Sequence, residues 1–210
     1  MKKVKLLLFC AAVSCLMAGT VAAVEPKAPA KAKATTLENL QAAYNGESNA
    51  SARYAAFAAK ADAEGYLGAG AMFRATSKSE SIHAARHAKA IEALGAVPKA
   101  DIKAADVKST KENLKAAIAG ENYEFQKMYP AFIKQAKADK NAEAEMSFKD
   151  AMTVEKTHSK LYSQALNNLQ NWKAVKTFIV CQNCGYVTSD LGVKPCSVCS
   201  FPRSQFVEVQ

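Results

Sequence analysis

Seven residues able to ligate a metal recur in two matching blocks: Glu47 with Glu80-x-x-His83, then Glu121-x-x-Glu124 with Glu155-x-x-His158. An i, i+3 pair on a helix projects to one face, so each Glu-x-x-His offers a carboxylate and an imidazole to the same point. A second set is Cys181-x-x-Cys184 and Cys196-x-x-Cys199. Two thiolate pairs make a tetrahedral S4 site suited to zinc or to a single iron. Two disulfides closing two-residue loops would hold little structure together. Residues 176–210 are too few to build a core alone, which favours metal as their staple.

Four helices must position the carboxylates. Apolar spacing predicts them at about 36–64, 67–94, 109–140 and 141–171. Thr35 with Glu38 and Ser109 with Glu112 are capping boxes, and Gly95 with Pro98 stops the second helix. The longer 95–108 stretch reads as a crossover connection, the trait of ferritin-like bundles. The helix pairs repeat: Glu38-Asn39-Leu40 through Gly46-Glu47 matches Glu112-Asn113-Leu114 through Gly120-Glu121 at an offset of 74. Tyr54, Phe57, Phe73, Glu80 and His83 match Tyr129, Phe132, Phe148, Glu155 and His158 at an offset of 75. One residue is therefore inserted between Glu121 and Tyr129, the sequence trace of a π-bulge, just ahead of Pro130.

Inward stripes are expected along Leu40, Tyr44, Glu47, Ser51, Tyr54 in the first helix and Phe73, Thr76, Glu80, His83, His87 in the second. The third offers Leu114, Ala117, Glu121, Glu124, Met128, and the fourth Phe148, Met152, Glu155, His158, Tyr162. Singly, each Glu would pass as a solvated helix residue. Five on the seam would each cost several kcal/mol to bury and would repel one another. Two divalent cations remove most of that cost, and Glu on two helices with Glu-x-x-His on the other two is the di-iron carboxylate arrangement. His87 lies one turn beyond His83, but its repeat counterpart is Tyr162, which favours a supporting or core role over ligation. Tyr54 and Tyr129 suit either packing or a hydrogen bond to a ligand carboxylate. Gly46 and Gly120, each preceding a ligand Glu, suggest close helix approach.

Forty-two Ala against nine Gly and six Pro argue for a mainly α chain and against an all-β fold. The net charge of +9 falls to +6 once three Lys in the first 23 residues are set aside. It never gathers into a basic run with interleaved aromatics, so nucleic-acid binding gains no support. Residues 1–23 read as an export signal: Lys2, Lys3 and Lys5, an apolar stretch from Leu6 to Gly19, and Val21-Ala22-Ala23 for cleavage. This predicts a periplasmic protein, with lipidation at Cys15 the less favoured alternative. Cleavage would also remove Cys10. Residues 24–35 read as a flexible tether, and no later stretch is long enough for a stable membrane span.

Over about residues 36–210 the chain resembles the rubrerythrins: a ferritin-like di-iron bundle (36–172) followed by a small rubredoxin-like β/loop metal domain (176–210). The resemblance rests on Gly46-Glu47-Ser48, Glu80-x-x-His83, Gly120-Glu121-x-x-Glu124, Tyr129-Pro130, Glu155-x-x-His158, Cys181-x-x-Cys184-Gly185-Tyr186 and Cys196-x-x-Cys199. It implies two irons on Glu47, Glu80, His83, Glu121, Glu124, Glu155 and His158, and one iron on the four cysteines. It also implies a peroxidase that reduces hydrogen peroxide to water in oxidative-stress defence, with electrons relayed from a donor through the cysteine-bound iron. Glu124 and His83 would alternate as ligands of one iron, with Tyr54 and Tyr129 beside the site. A connection of a few residues around Trp172 to Lys176 is expected to keep the cysteine domain from its own bundle. The family's head-to-tail homodimer answers that difficulty. Ser197 and Ser200 depart from the Pro and Gly usual in the second cysteine loop, and the export signal leaves the donor open. The alternatives are a ferritin-like iron-oxidation and storage protein, or a zinc-ribbon interaction module on a structural bundle.

Overall fold

The computed structural model describes residues 34–210; the expected signal segment 1–23 and nearly all of the 24–35 tether lie outside them. Helix α1 (Thr36–Ala63) and helix α2 (Leu67–Ala93) form the first antiparallel pair. Helix α3 (Thr110–Tyr123), a π-turn (Glu124–Met128) and helix α4 (Tyr129–Ala138) make one continuous rod, paired with helix α5 (Ala142–Asn167). Both capping boxes form: the Thr35 and Ser109 hydroxyls accept from the amides of Glu38 and Glu112, whose carboxylates reach back. Each such cap contributes about 0.5–2 kcal/mol. The inserted residue is absorbed by the π-turn, and Pro130 falls in the first turn of α4, where a missing N–H costs little.

The crossover is strapped to α1 by three amide side chains on one helical row. Gln41 bonds Val97 O and Lys99 N, Asn45 bonds Asp101 N, and Asn49 bonds Asp101 O and Lys103 N. The bundle core has two apolar blocks. One gathers Tyr54, Phe57, Phe73 and Tyr162; the other gathers Leu40, Ile91, Tyr129 and Phe148. The polar ligand level lies between them. In α1 the buried face includes Ala43, Ala50 and Phe57, while Tyr44 and Ser51 are only half-buried, so the expected stripe was one residue off along that edge.

A 3-10 turn (Leu169–Trp172) ends the fourth helical segment earlier than the periodicity suggests and reverses the chain. Strands β1 (Phe178–Cys181), β2 (Val187–Thr188) and β3 (Phe206–Val209) form an antiparallel sheet in the order β2-β1-β3. The short connection does not hold this domain off its own bundle, contrary to expectation. Trp172 stacks on Phe178 at 6.2 Å, and the backbone passes over Gly68, where a Cβ would meet Ala174 O at 2.6 Å. Val154 of α5 is buried among Ile179, Cys181, Cys184, Cys196 and Phe206. The cysteine domain therefore borrows core from the bundle of the same chain.

Candidate metal centres

The carboxylates and imidazoles converge in two tetrads, Glu47, Glu80, His83, Glu155 and Glu80, Glu121, Glu155, His158, with ligand atoms within 4.8 Å of one another in each. Glu80 and Glu155 belong to both. Glu80 places Oε2 3.0 Å from His83 Nδ1 and Oε1 3.1 Å from His158 Nδ1. Glu155 places Oε1 2.8 Å from His83 Nδ1 and Oε2 2.8 Å from His158 Nδ1. These two carboxylates would serve both cations of a pair, and Glu47 and Glu121 would each serve one, one per half of the repeat.

Every member of the tetrads is buried, and apart from crowding one another, Glu47 Oε2, Glu121 Oε2, both Glu155 oxygens and both His158 nitrogens find no partner in hydrogen-bond geometry. Orphaned buried polar atoms aimed at common points fit a pair of cations. A purely structural bundle has no reason to keep them. Burial, then neighbouring carboxylates, pushes Glu47 and Glu121 well above the usual carboxylate range. Burial alone would depress His158, but Glu80 and Glu155 hold it up at about 9. Against its own burial, Glu80 is drawn down to about 2 by His158 and His83.

The surrounding groups are mirrored. Tyr54 donates to Glu121 Oε1 at 2.6 Å, and Tyr129 donates to Glu47 Oε1. The sequence left packing or a hydrogen bond for these tyrosines, and both are found: the rings lie in the two apolar blocks and the hydroxyls reach carboxylates of the tetrads. Glu124 opens the π-turn half-buried and lies outside both tetrads, though near enough for its charge to raise Glu47 and for Arg53 to oppose its own rise. His87 ligates nothing in either tetrad, in keeping with a supporting role. Gly46 would tolerate a Cβ with nothing within 4 Å, and at Gly120 the nearest atom is 3.9 Å away. Close helix approach is therefore not what these glycines provide.

The four cysteines are free thiols. Cys181 Sγ lies 3.7 Å from Cys199 Sγ and Cys184 Sγ 3.6 Å from Cys196 Sγ. A tetrahedron with metal–sulfur bonds of about 2.3 Å has edges of about 3.8 Å. The two cysteine loops are themselves a repeat at an offset of 15. Gly185 N bonds Cys181 O and Cys181 N bonds Tyr186 O; Ser200 N bonds Cys196 O and Cys196 N bonds Phe201 O. The residue after each second cysteine is left-handed, Gly185 at φ 80° and Ser200 at φ 62°. That conformation costs a non-glycine residue about 1–2 kcal/mol. Ser200→Gly should accordingly raise the unfolding free energy of the metal-loaded protein by about 0.5–1 kcal/mol after the looser unfolded chain is counted. Denaturant titration checks this, and no gain would mean the Ser200 hydroxyl has offset the strain.

The first loop sits directly on α2. His83 Nε2 is 2.9 Å from Cys184 O, Ser79 donates to Gly185 O at 2.6 Å, and Arg86 donates to Asn183 O at 2.9 Å. Since a carbonyl only accepts, Nε2 carries a proton, and the bond turns Nδ1 toward the tetrad, where it could ligate a cation. A Cβ on Gly185 would come within 2.7 Å of His83 Nε2, so only glycine allows this approach.

A sequence profile described as Rubrerythrin matches residues 38–166. Rubrerythrin-2 of Clostridium acetobutylicum is 32% identical over 177 residues, 82% of this chain and 96% of that protein. Nigerythrin of Nitratidesulfovibrio vulgaris is 35% identical over 173 residues, 82% of this chain and 85% of its own length. A solved structure described as the fully reduced, all-ferrous state of nigerythrin superposes with a TM-score of 0.78 at 32% identity, covering 86% of this chain and 90% of that one.

Proposed function

The chain belongs to the rubrerythrin family, and from that premise we propose that it is a di-iron peroxidase reducing hydrogen peroxide to water, fed with electrons through the four-cysteine iron centre. The observation that carries this reading is the His83 Nε2–H to Cys184 O hydrogen bond. It joins a ligand of one tetrad to a residue of the cysteine site, an arrangement without purpose in an iron-storage bundle.

Bound in these sites, a ferrous pair supplies two electrons and Lewis acidity, and a single iron among thiolates exchanges one electron at a time. The protein's own groups do the rest. Glu80 and Glu155 would contribute to both metal positions, with Glu47 and His83 completing one and Glu121 and His158 the other. Cys184 O keeps the His83 ring turned so that Nδ1 faces inward. Burial raises the hydroxyls of Tyr54 and Tyr129 well above the ordinary phenol value, so both stay protonated as donors to Glu121 and Glu47. Glu124, on a π-turn that loosens the helix at that point, can swing toward the Glu47 side. A carboxylate suits the harder ferric ion and an imidazole the ferrous one, which makes Glu124 and His83 alternates with redox state.

Iron-loaded protein given a reduced one-electron donor should consume peroxide through many turnovers; stable iron content with no consumption would sink the reading. Glu124→Ala should still load two irons and oxidise ferrous iron with oxygen but lose peroxide turnover, and unchanged peroxidase kinetics would remove Glu124 from the mechanism. We further propose a head-to-tail homodimer that exchanges the cysteine domains through the same interface. Export with a mature terminus at Val24 is also proposed; a lipid-modified Cys15 in the mass spectrum would overturn it.

A further inference from the structure

His87 is fully buried in the aromatic block with Phe148 and Tyr129, and no metal tetrad uses it. Its ring is nevertheless bonded on both sides. Nδ1 lies 2.8 Å from Ser147 Oγ, and Nε2 lies 3.2 Å from the Tyr129 hydroxyl. Tyr129 in turn donates to Glu47 Oε1. Ser147, itself buried, lines the floor of a surface cleft of about 460 Å³ with Arg86, Lys89, Glu143 and Gln182. A continuous hydrogen-bonded row therefore runs from that cleft to a ligand of the His83 tetrad.

We propose that Ser147, His87 and Tyr129 form a proton relay that carries protons from this cleft to Glu47. The polarity of the row supports it. The Tyr129 hydroxyl is spent on Glu47, so its oxygen must accept from His87 Nε2–H. That leaves Nδ1 to accept from Ser147, and every donor points inward. Burial lowers the His87 pKa below the ordinary imidazole value, which favours a neutral ring that presents one N–H and one lone pair. In one passage Glu47 takes the Tyr129 proton and Tyr129 takes the Nε2 proton. Nδ1 takes the Ser147 proton, and Ser147 takes one from water in the cleft. Each group breaks one bond to hydrogen and forms another, and no electron moves. Rotation of the hydroxyls and return of the ring to its Nε2–H tautomer reset the row.

The relay is one-sided. In the repeat, the position of His87 is Tyr162, which packs on Tyr54 at 5.4 Å but donates its hydroxyl to Thr76 Oγ1 at 2.6 Å instead. Glu47 shares its tetrad with His83, which carries the hydrogen bond to Cys184. Protons and electrons would thus arrive at the same half. Reduction of one peroxide to two waters consumes two electrons and two protons, so the relay rests on the peroxidase reading for what finally uses the protons.

His87→Gln separates conduction from packing. The amide can still donate to Tyr129 and accept from Ser147, but it does not exchange one proton for another as imidazole does. The readout is proton uptake when the oxidised, iron-loaded protein is reduced by dithionite without oxygen or peroxide, followed with an indicator dye in a stopped flow. Added electrons draw protons into a site walled by carboxylates. His87→Gln and Ser147→Val should slow that uptake about 10-fold or more, the lower reach of what positioned proton transfer supplies. Ser147→Thr, which keeps a hydroxyl, should match the natural protein. Equal uptake rates in all four proteins at equal iron content overturn the relay. Because peroxide is absent, a protein inactive toward peroxide yet slowed by His87→Gln would refute the peroxidase reading and leave the relay standing.

Discussion

Chains carrying Cys181→Ser and Cys184→Ser together should load iron in the bundle, react once with peroxide after chemical reduction, and then stop. Two thiols cannot complete an S4 site, so the visible absorption of a thiolate-bound iron disappears with the substitutions. The bundle's ligands are untouched, since neither cysteine belongs to the tetrads. What is lost is re-reduction, and multiple turnover with a rubredoxin-type donor should fall to the rate of the uncatalysed mixture. Metal binding is also folding free energy for so small a domain. Gly185→Ala supplies the control, because all four cysteines remain while a Cβ forces the loop away from Ser79 and His83. That variant should keep its colour and still turn over slowly. Full turnover in the double variant would remove the cysteine site from the electron path.

Glu155→Gln should empty both positions of the bundle at once. Each oxygen of Glu155 serves a different half, at 2.8 Å from His83 Nδ1 and 2.8 Å from His158 Nδ1. A neutral amide presents only one, weaker acceptor oxygen and no charge, so one tetrad loses its oxygen outright and the other keeps only an uncharged ligand. The loss in iron affinity should exceed the about 10–100-fold that changes outside the ligand shell usually cost. Metal analysis should find only the cysteine-bound iron left. Glu47→Gln, by contrast, removes a ligand from one half and should spare the other. Retention of two bundle irons in the Glu155→Gln protein would show that Glu155 is not a bridge. Refolded together, Glu155→Gln chains and the double cysteine variant should regain part of the turnover if the cysteine domains exchange between subunits. No recovery would confine the relay to one chain.

Much of this was legible in the residue order because it follows from local physics. The capping boxes at Thr35 and Ser109, the change of offset from 74 to 75 and the Glu-x-x-His spacing each encode their structure within a turn or two of helix. Side-chain partners far apart in the chain were not legible. His87 looked like a core residue because Ser147 is 60 positions away, and nothing at either position announces the other. Tyr44 and Ser51 stand one residue beyond the buried positions Ala43 and Ala50, in the neighbouring heptad row, and periodicity alone does not say which of two adjacent rows is the more deeply buried. The two-residue strand β2 is too short to carry a pattern. The docking of the cysteine domain is not legible from chain length, because it depends on the reversal at Leu169–Trp172.

The amide row on α1 has a consequence for which lengths of the crossover evolution can sample. Four residues of helix advance about 6.0 Å and two of extended chain about 6.6 Å, so Gln41, Asn45 and Asn49 read every second residue of the strap like teeth on a rack. A single-residue insertion between Val97 and Lys103 turns the next backbone groups to the wrong side and unmeshes every later tooth. Insertions in pairs preserve the phase and only lengthen the run. Residues 104–108, beyond the last tooth, carry no such arithmetic. Natural length variation and engineered permutation sites in this connection should therefore concentrate there, and within the meshed part should come in even numbers.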